Sequence, residues 1–458
     1  MVSEKELMLD IKDNLENKIS KLRKKNLGLK NITICVLGLG YIGLPTALLF
    51  AKNDFKVTGV DTNKDVVEKL QHRKIHFNEL QLNSLLKEAM KKKTFIAKTK
   101  ISVSDVYIVA VPTPLNSHQK MAELCYVKSA FELISSHIKR DDLIILESTV
   151  PPGTTNKLVI PILEKSGLRA GVDFFVSHCP ERSIPGKTVY EMINNDRIIG
   201  GIDNKSTELT ELLYSSFVKG NIYKTNVETA EFVKLIENTF RDINIALANE
   251  FAQIAEESNV NVWEAIKLAN KHPRVNILKP GPGVGGHCIA IDPWFLTAHS
   301  TRSRIISLTR EINDGMPRHV LKLVKNMVQN IDHPTITVLG VSYKADVDDA
   351  RETPALKFIK LAENQGYNVK VHDPFVKEFE YPILNFEDAI NQSDCLVLIT
   401  DHTKFKNIAP QKIAGLMRTK KIVDTRNSLN IEAWKKAGFN VRLLGSEKNK
   451  SLLLKKIV

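Results

Sequence analysis

Cross-linking chemistry is sparse in this sequence. Five cysteines, at positions 35, 125, 179, 288 and 395, are scattered over 458 residues with no C-x-x-C pair. Five cannot all pair, and the spacing argues against both a disulfide framework and a zinc site, so no metal is expected. No uninterrupted apolar run approaches the roughly 18–20 residues that a helix needs to cross a bilayer. The opening stretch, MVSEKELMLDIKDNLENKISKLRKKN, is charged and lacks the apolar centre of a secretory signal, which makes the cytoplasm the expected location, with no membrane partner. Also absent are a recognised nucleic-acid motif and a basic stretch interleaved with aromatics, so nucleic acid is not an expected partner despite the net charge of +13. Much of that charge stands in short runs such as KLRKK, KKK at 91–93 and the terminal LLLKKIV, which read as solvated faces.

What remains is the composition of a globular protein, 43% hydrophobic and 26% charged, long enough for two cores or three. NITICVLGLGYIGLPTALLFAKNDFKVTGVD runs apolar strand, glycine turn, apolar helix, strand and acidic residue, which is one βαβ unit. Buried-strand candidates follow at 106–111, 143–147 and 174–177, separated by helical patterns, which argues for a parallel doubly wound sheet. From 228 to 257 there is one long helical pattern without glycine or proline. Apolar residues surround most of its circumference, so burial in a core or between subunits is expected. A second α/β pattern begins near 334. There Thr353 suits an N-cap, Pro354 the first turn and Gly366 the helix end. The expected fold is thus α/β, with two Rossmann-like doubly wound domains joined by a long central helix. The expected divisions are a polar helical extension at 1–30, a dinucleotide domain at 31–222, a central helical region with the cysteine loop at 223–330, a second Rossmann-like domain at 331–445 and a basic tail at 446–458.

Gly38, Gly40 and Gly43 form G-x-G-x-x-G directly after a strand and at the start of a helix. The glycines permit a tight turn and the approach of a pyrophosphate to the helix N-terminus, where unpaired N–H groups and the macrodipole favour negative charge. Tyr41 and Ile42 belong to the same turn. Asp61 closes the second strand, where a carboxylate accepts hydrogen bonds from ribose hydroxyls and repels a 2′-phosphate; the expected cofactor is NAD rather than NADP. AVPTP and ESTVPPGT each follow a buried strand, which makes Thr113 and Thr149 candidates on the nicotinamide side, with ordinary turn residues as the alternative.

The stretch GPGVGGHCIAIDPW sets Cys288 at the end of a glycine-rich turn, beside His287 and four residues before Asp292. That is a setting for an exposed, partly ionised nucleophile. Along the long helix Lys234, Asn238 and Arg241 stand at i, i+4 and i+7. Buried cations are expensive unless paired or facing an anion, so this stripe either lines a site or pairs with carboxylates at an interface. SHCPERSIPG adds Glu181 and Arg182, and NKHPRVN adds His272 and Arg274. Cations and carboxylates together suggest an acidic substrate and a proton-transfer step.

GLGYIG with Asp61, STVPPGT, CPER, EFVKLIENTFRDIN, HPRVN, GPGVGGHCIAIDPW and GVSYKADVDDARETP resemble, in order and spacing, the motifs of the UDP-glucose/GDP-mannose dehydrogenase family over residues 31–430. The resemblance implies a two-step, four-electron oxidation of a sugar C6 alcohol to a carboxylate with two NAD per turn. It assigns Cys288 as the nucleophile that passes through a thiohemiacetal and a thioester, and Lys234, with Asn238 beside it, to oxyanion stabilisation or proton transfer. It assigns Asp292 to the water, and Glu181 and Arg351 to the cofactor. Arg182, Ser183, Lys234, Asn238, Arg241, His272, Arg274, Gly285, Tyr343 and Lys344 become substrate contacts, some supplied by a neighbouring subunit. It further implies that the C-terminal domain grips a uridine diphosphate and that the long helix forms a homodimer. The HPR and GHCIAIDPWF variants resemble the branch acting on UDP-N-acetyl-D-mannosamine, with UDP-N-acetylglucosamine and UDP-glucose as alternatives. From the residues alone two other readings stand: a two-electron hydroxyacid dehydrogenase with Cys288 a bystander, and a nucleotide-binding regulatory protein.

Overall fold

The chain is described from a computed structural model covering residues 32–77, 79–116, 118–298 and 300–446. The polar extension expected at 1–30 lies outside these residues, as does the basic tail beyond Ser446. Two compact units result: one takes the described residues up to Ile236 with 294–298, the other Glu237–Pro293 with those from Ser300 onward. Residues 223–330 are therefore shared between the units.

The first unit is built on eight strands: β1 (Thr33–Leu37), β2 (Lys56–Val60), β3 (Phe95–Lys98), β4 (Val106–Val109), β5 (Leu143–Leu146), β6 (Phe175–His178), β7 (Arg197–Gly201) and β8 (Ile222–Asn226). Their order is β8-β7-β6-β5-β4-β1-β2-β3. Central strands such as LIIL carry apolar side chains at every position because both faces are covered. Ile34, Val36, Ile108 and Ile145 enter one core, while the alternating Cys35, Leu37, Val109 and Ile144 enter another. The chain order reverses between β1 and β4, a topological switch point of the kind that opens a ligand crevice. Every neighbouring pair is parallel except one. β7 runs antiparallel to β6, with Ser177 opposite Gly201 and His178 opposite Gly200, and β8 follows β7's direction. The expectation of a parallel sheet therefore holds up to β6 and reverses at β7, because the link at 179–196 returns along the same edge instead of crossing the sheet.

The long helix begins directly after β8 and spans Val227–Glu257. The second unit holds β9 (Thr335–Leu339), β10 (Asn368–His372), β11 (Cys395–Leu398), β12 (Lys421–Asp424) and β13 (Asn440–Leu443), all parallel, in the order β10-β9-β11-β12-β13. Its switch point lies between β9 and β11. The helix Pro354–Glu363 starts as expected, Thr353 accepting the Ala355 N–H, and Gly366 turns beyond it at φ +77°. Among the described residues no helix is long and apolar enough to cross a membrane, and no group of three or more His, Cys, Asp or Glu is placed to hold a metal.

Candidate active site

At the switch point of the first unit the glycine turn is packed to its limit. Gly38 has φ +90°, and a Cβ there would lie 2.5 Å from the Ala110 carbonyl oxygen; one on Gly43 would lie 1.9 Å from the Gly38 oxygen. Gly40 differs, because a Cβ built on it meets nothing within 4 Å. Its open side, the absence of a side-chain cap on the helix Gly43–Lys52 and the position of Asp61 fit a dinucleotide with its pyrophosphate over the turn. Asp61 also braces the turn, its Oδ2 accepting the Leu39 N–H at 2.9 Å. Tyr41 stacks on Phe77 at 4.3 Å between centroids, and Ile42 packs on the core. Beyond β4 and β5 the two threonine loops are joined: Thr113 donates to the Thr149 carbonyl at 2.8 Å and Ser148 to that of Val111 at 2.7 Å. Gly40→Ala should leave the melting temperature near that of the parent and weaken NAD binding about tenfold or more, because the new methyl occupies the space a pyrophosphate needs. Calorimetric titration with NAD checks this, and an unchanged Kd would sink the assignment.

In the same unit Glu181 lies just beyond β6, 7% exposed, its Oε1 accepting the N–H groups of Arg182 at 2.7 Å and Ser183 at 2.9 Å. The Arg182 guanidinium donates to the Asp196 carbonyl at 2.8 Å. The Ser183 hydroxyl is buried and, among the described residues, has no hydrogen-bond partner, a group that a ligand can satisfy. Lys234 is 9% exposed, and among the described residues its ammonium has no carboxylate partner. One turn before it, Glu231 accepts the N–H groups of Gly153 (2.5 Å) and Thr155 (2.8 Å) and the Thr155 hydroxyl (2.6 Å), fastening the lysine's helix to the Thr149 loop. Burial pushes the nearby His178 down to about 3, with the Lys234 cation adding to the effect, so that imidazole is neutral.

The second unit brings together the other expected residues. Asn238 donates to Asp292 Oδ2 at 2.6 Å, both side chains being buried. The N–H groups of Ile291 and Asp292 donate to the Cys288 carbonyl at 3.0 and 2.8 Å, closing one tight turn that ends at the aspartate. Cys288 is exposed, whereas Cys35, Cys179 and Cys395 are buried and their thiols are pushed up to about 11, 12 and 12 by that burial. The glycines of this loop seat it against the stretch after β9. A Cβ on Gly285 would lie 2.5 Å from the Glu352 carbonyl oxygen, and one on Gly286 (φ +84°) would lie 2.8 Å from the Tyr343 ring. Tyr343 and Lys344 stand immediately beyond β9, at the second switch point, where an open α/β sheet takes its ligand. Arg351 is paired with Asp349 through Nε at 2.8 Å and Nη2 at 2.6 Å, and its carbonyl accepts the Gly286 N–H.

Arg426 was not singled out from the sequence, because an arginine after a strand carries no periodic signal; its Nη1 lies 2.7 Å from where a Gly281 Cβ would be, and its Nε donates to the Ile399 carbonyl. Arg241 is exposed, unlike the buried Lys234 and Asn238, so the expected three-residue stripe divides; the neighbouring Asp242 is instead buried against Arg310 at 2.5 Å. His272 and Arg274 are exposed as well, their side chains 3.5 Å apart. Of the two settings expected for the long helix, a core and a subunit interface, the protomer supplies the core on part of its circumference and leaves Phe232, Ile236, Phe240, Leu247, Phe251 and Ile254 as an exposed apolar seam.

Three signatures of the UDP-glucose/GDP-mannose dehydrogenase family match the chain in order: the NAD binding domain over 32–218, the central domain over 228–315 and the UDP binding domain over 337–431. A UDP-N-acetyl-D-mannosamine dehydrogenase of Methanococcus aeolicus is 45% identical over 439 residues, covering 94% of this chain and 98% of the relative. An NDP-N-acetyl-D-galactosaminuronic acid dehydrogenase of Ralstonia solanacearum is 41% identical over 408 residues, 86% of this chain and 95% of that one. The structure of a UDP-D-ManNAc dehydrogenase from Pyrococcus horikoshii superposes with a TM-score of 0.86 at 42% identity, covering 90% of this chain and 99% of the other.

Proposed function

The chain belongs to the UDP-glucose/GDP-mannose dehydrogenase family, and on that premise we propose that it oxidises UDP-N-acetyl-D-mannosamine at C6 to the uronate, with NAD as its cofactor. The observation that carries this reading is the arrangement in the second unit. An exposed Cys288 shares one turn with Asp292, which is held by Asn238, and the glycine loop before it packs on the Tyr343 stretch beyond β9. NAD, when bound, supplies the acceptor for the two hydrides that C6 gives up between alcohol and carboxylate. The turn of Gly38, Gly40 and Gly43 with Asp61 would hold it.

The chain's own groups do the rest. Lys234 stabilises negative charge developing on the C6 oxygen, and burial strengthens that interaction. Cys288 Sγ adds to the aldehyde carbon, forming a C–S bond and a thiohemiacetal; loss of the second hydride and the hydroxyl proton leaves a thioester. Asp292 orients the water that cleaves the C–S bond and returns the thiol. One alcohol, one water and two NAD+ thus give one carboxylate, two NADH and three protons. Two NADH per sugar, counted by absorbance against limiting substrate, is the expected result; one would return the two-electron reading. In a panel of UDP- and GDP-sugars, activity confined to the galacto epimer would move the substrate to that of the Ralstonia relative, and activity confined to GDP-mannose would overturn the assignment.

The exposed seam on the long helix is closed by a second copy of the chain. Six large apolar residues spaced by three, four or seven along one helix make a continuous stripe that water does not favour. Light scattering should report a dimer for the parent and a monomer for Phe240→Asp. A monomeric parent would refute the pairing.

A further inference from the structure

Reversal of the sheet at β7 sets a basic residue where a parallel strand could not. In a parallel sheet the first residue of a strand lies at the amino edge, away from the ligand loops. Because β7 is antiparallel to β6, its first residue, Arg197, stands at the carboxyl ends of β5 and β6. Its guanidinium is 4% exposed, with Nη2 2.7 Å from Glu181 Oε2 and Nη1 3.4 Å from Glu147 Oε1. Thr46, in the first turn of the helix beyond the glycines, donates to Glu147 Oε2 at 2.9 Å. Tyr214 donates to Glu147 Oε1 at 3.1 Å and lies with its ring 4.6 Å beneath the guanidinium. One cation thus ties the glycine-turn helix, the ESTVPPGT loop and the CPER loop together.

We propose that Arg197 is a positioning residue for the oxidation: it fixes Glu181, and through Glu181 the backbone of Arg182 and Ser183, while Glu147 sets how much of its charge Glu181 receives. The inference rests on the reading of Glu181 as an active-site group. A buried ion pair is seldom retained for stability alone, since apolar residues of the same volume serve as well. Here the pair orders a loop whose hydroxyl, Ser183 Oγ, is buried and, among the described residues, makes no hydrogen bond. Lysine could not reproduce the arrangement, because only a planar fork reaches two carboxylates at fixed angles.

The trio has two carboxylates for one cation, so its charge depends on pH. Facing Glu147 are Arg197 from β7, Glu181 and the Cys179 thiol from beyond β6, and Tyr214 at the end of the helix Asn204–Tyr214. Burial pushes Glu147 up to about 7, against the pull of Arg197. Below that value Glu147 is protonated and Arg197 serves Glu181 alone; above it the guanidinium is shared. The folded state keeps a proton that the unfolded chain releases from 4.5 upward, so this group's contribution to stability falls as pH rises from 4.5 to about 7.

The test uses the full-length protein, with kcat and KM measured for the nucleotide sugar it turns over. Arg197→Met should lower kcat about tenfold to a hundredfold with each KM within about threefold, and Arg197→Lys should recover part of the loss. On a Glu181→Gln background Arg197→Met should cost no more than about twofold, because the residue it positions is already disabled. Glu147→Gln should remove a limb near pH 7 from the kcat profile and flatten the melting temperature between pH 5 and 7. Equal losses on both backgrounds, a parent-like kcat in Arg197→Met, or a parent-like pH profile in Glu147→Gln would each overturn the proposal. Should Arg197→Met fail to melt cooperatively, the lysine and glutamine variants decide. A parent that oxidises no nucleotide sugar sinks the functional reading and this inference with it, whereas a parent that turns over with indifferent variants sinks the inference alone.

Discussion

Cys288→Ser should lower carboxylate formation by about a thousandfold or more, the scale on which loss of a covalent nucleophile is felt. A serine hydroxyl in the same place is barely ionised and its ester would be a poorer intermediate, so the second oxidation is the step that suffers. NADH should then appear at no more than one per enzyme-bound sugar. Cys125→Ser is the control, since that thiol is also exposed but lies on the helix Cys125–Ser135. Intact mass spectrometry of parent protein quenched during turnover should show an adduct on Cys288. If alkylation of Cys288 leaves turnover intact and no adduct is found, the thioester route is wrong.

Lys234→Met should reduce kcat about a hundredfold to a thousandfold with a smaller change in the sugar KM, the range seen when one preorganised donor to a developing oxyanion is removed. The lysine is buried at 9% exposure, and among the described residues no carboxylate neutralises it. A cation kept in that state is costly unless an anion or an anionic transition state arrives. Methionine keeps the length of the stem and removes the charge, so the melting temperature should hold or rise. A lower melting temperature with parent-like kcat per folded molecule would show that the lysine supports the fold instead. Glu231 offers a contrast: Glu231→Gln should act mainly by loosening the Thr149 loop, because its carboxylate binds backbone N–H groups of that loop.

Much of the architecture was open to inspection in the sequence. The glycine turn was legible because only glycine tolerates the φ of residue 38 and the contact at residue 43, so the spacing itself records the geometry. The helix Pro354–Glu363 was legible from its cap, its proline and its terminal glycine. Strands β4 and β5 were legible as continuous apolar runs buried on both faces, β1 as a nearly continuous one, and β6 by the apolar pair that opens it. β7 and β8 were not, because RIIGG and IYKTN mix polar residues and glycine with too few apolar ones to signal a strand. Cys288 and Asp292 were tied by four residues of spacing, but spacing could not give the 2.6 Å contact of Asp292 with Asn238, 54 positions away.

The sequence by itself determined which chemistry the chain carries: a dinucleotide turn with an acidic strand end, an accessible thiol among glycines, and a lysine and asparagine one helical turn apart. Local backbone demands and fixed short spacings encode those features, so they survive being read one residue at a time. Tertiary structure alone decided which cations are buried in the protomer and which are exposed on it. Arg241, placed in register with Lys234 and Asn238, is exposed, while Arg197, in no motif, is buried between two glutamates. The reason is that strand direction is settled by packing between distant segments, and the direction of β7 alone places Arg197 among the carboxylates at the carboxyl ends of β5 and β6.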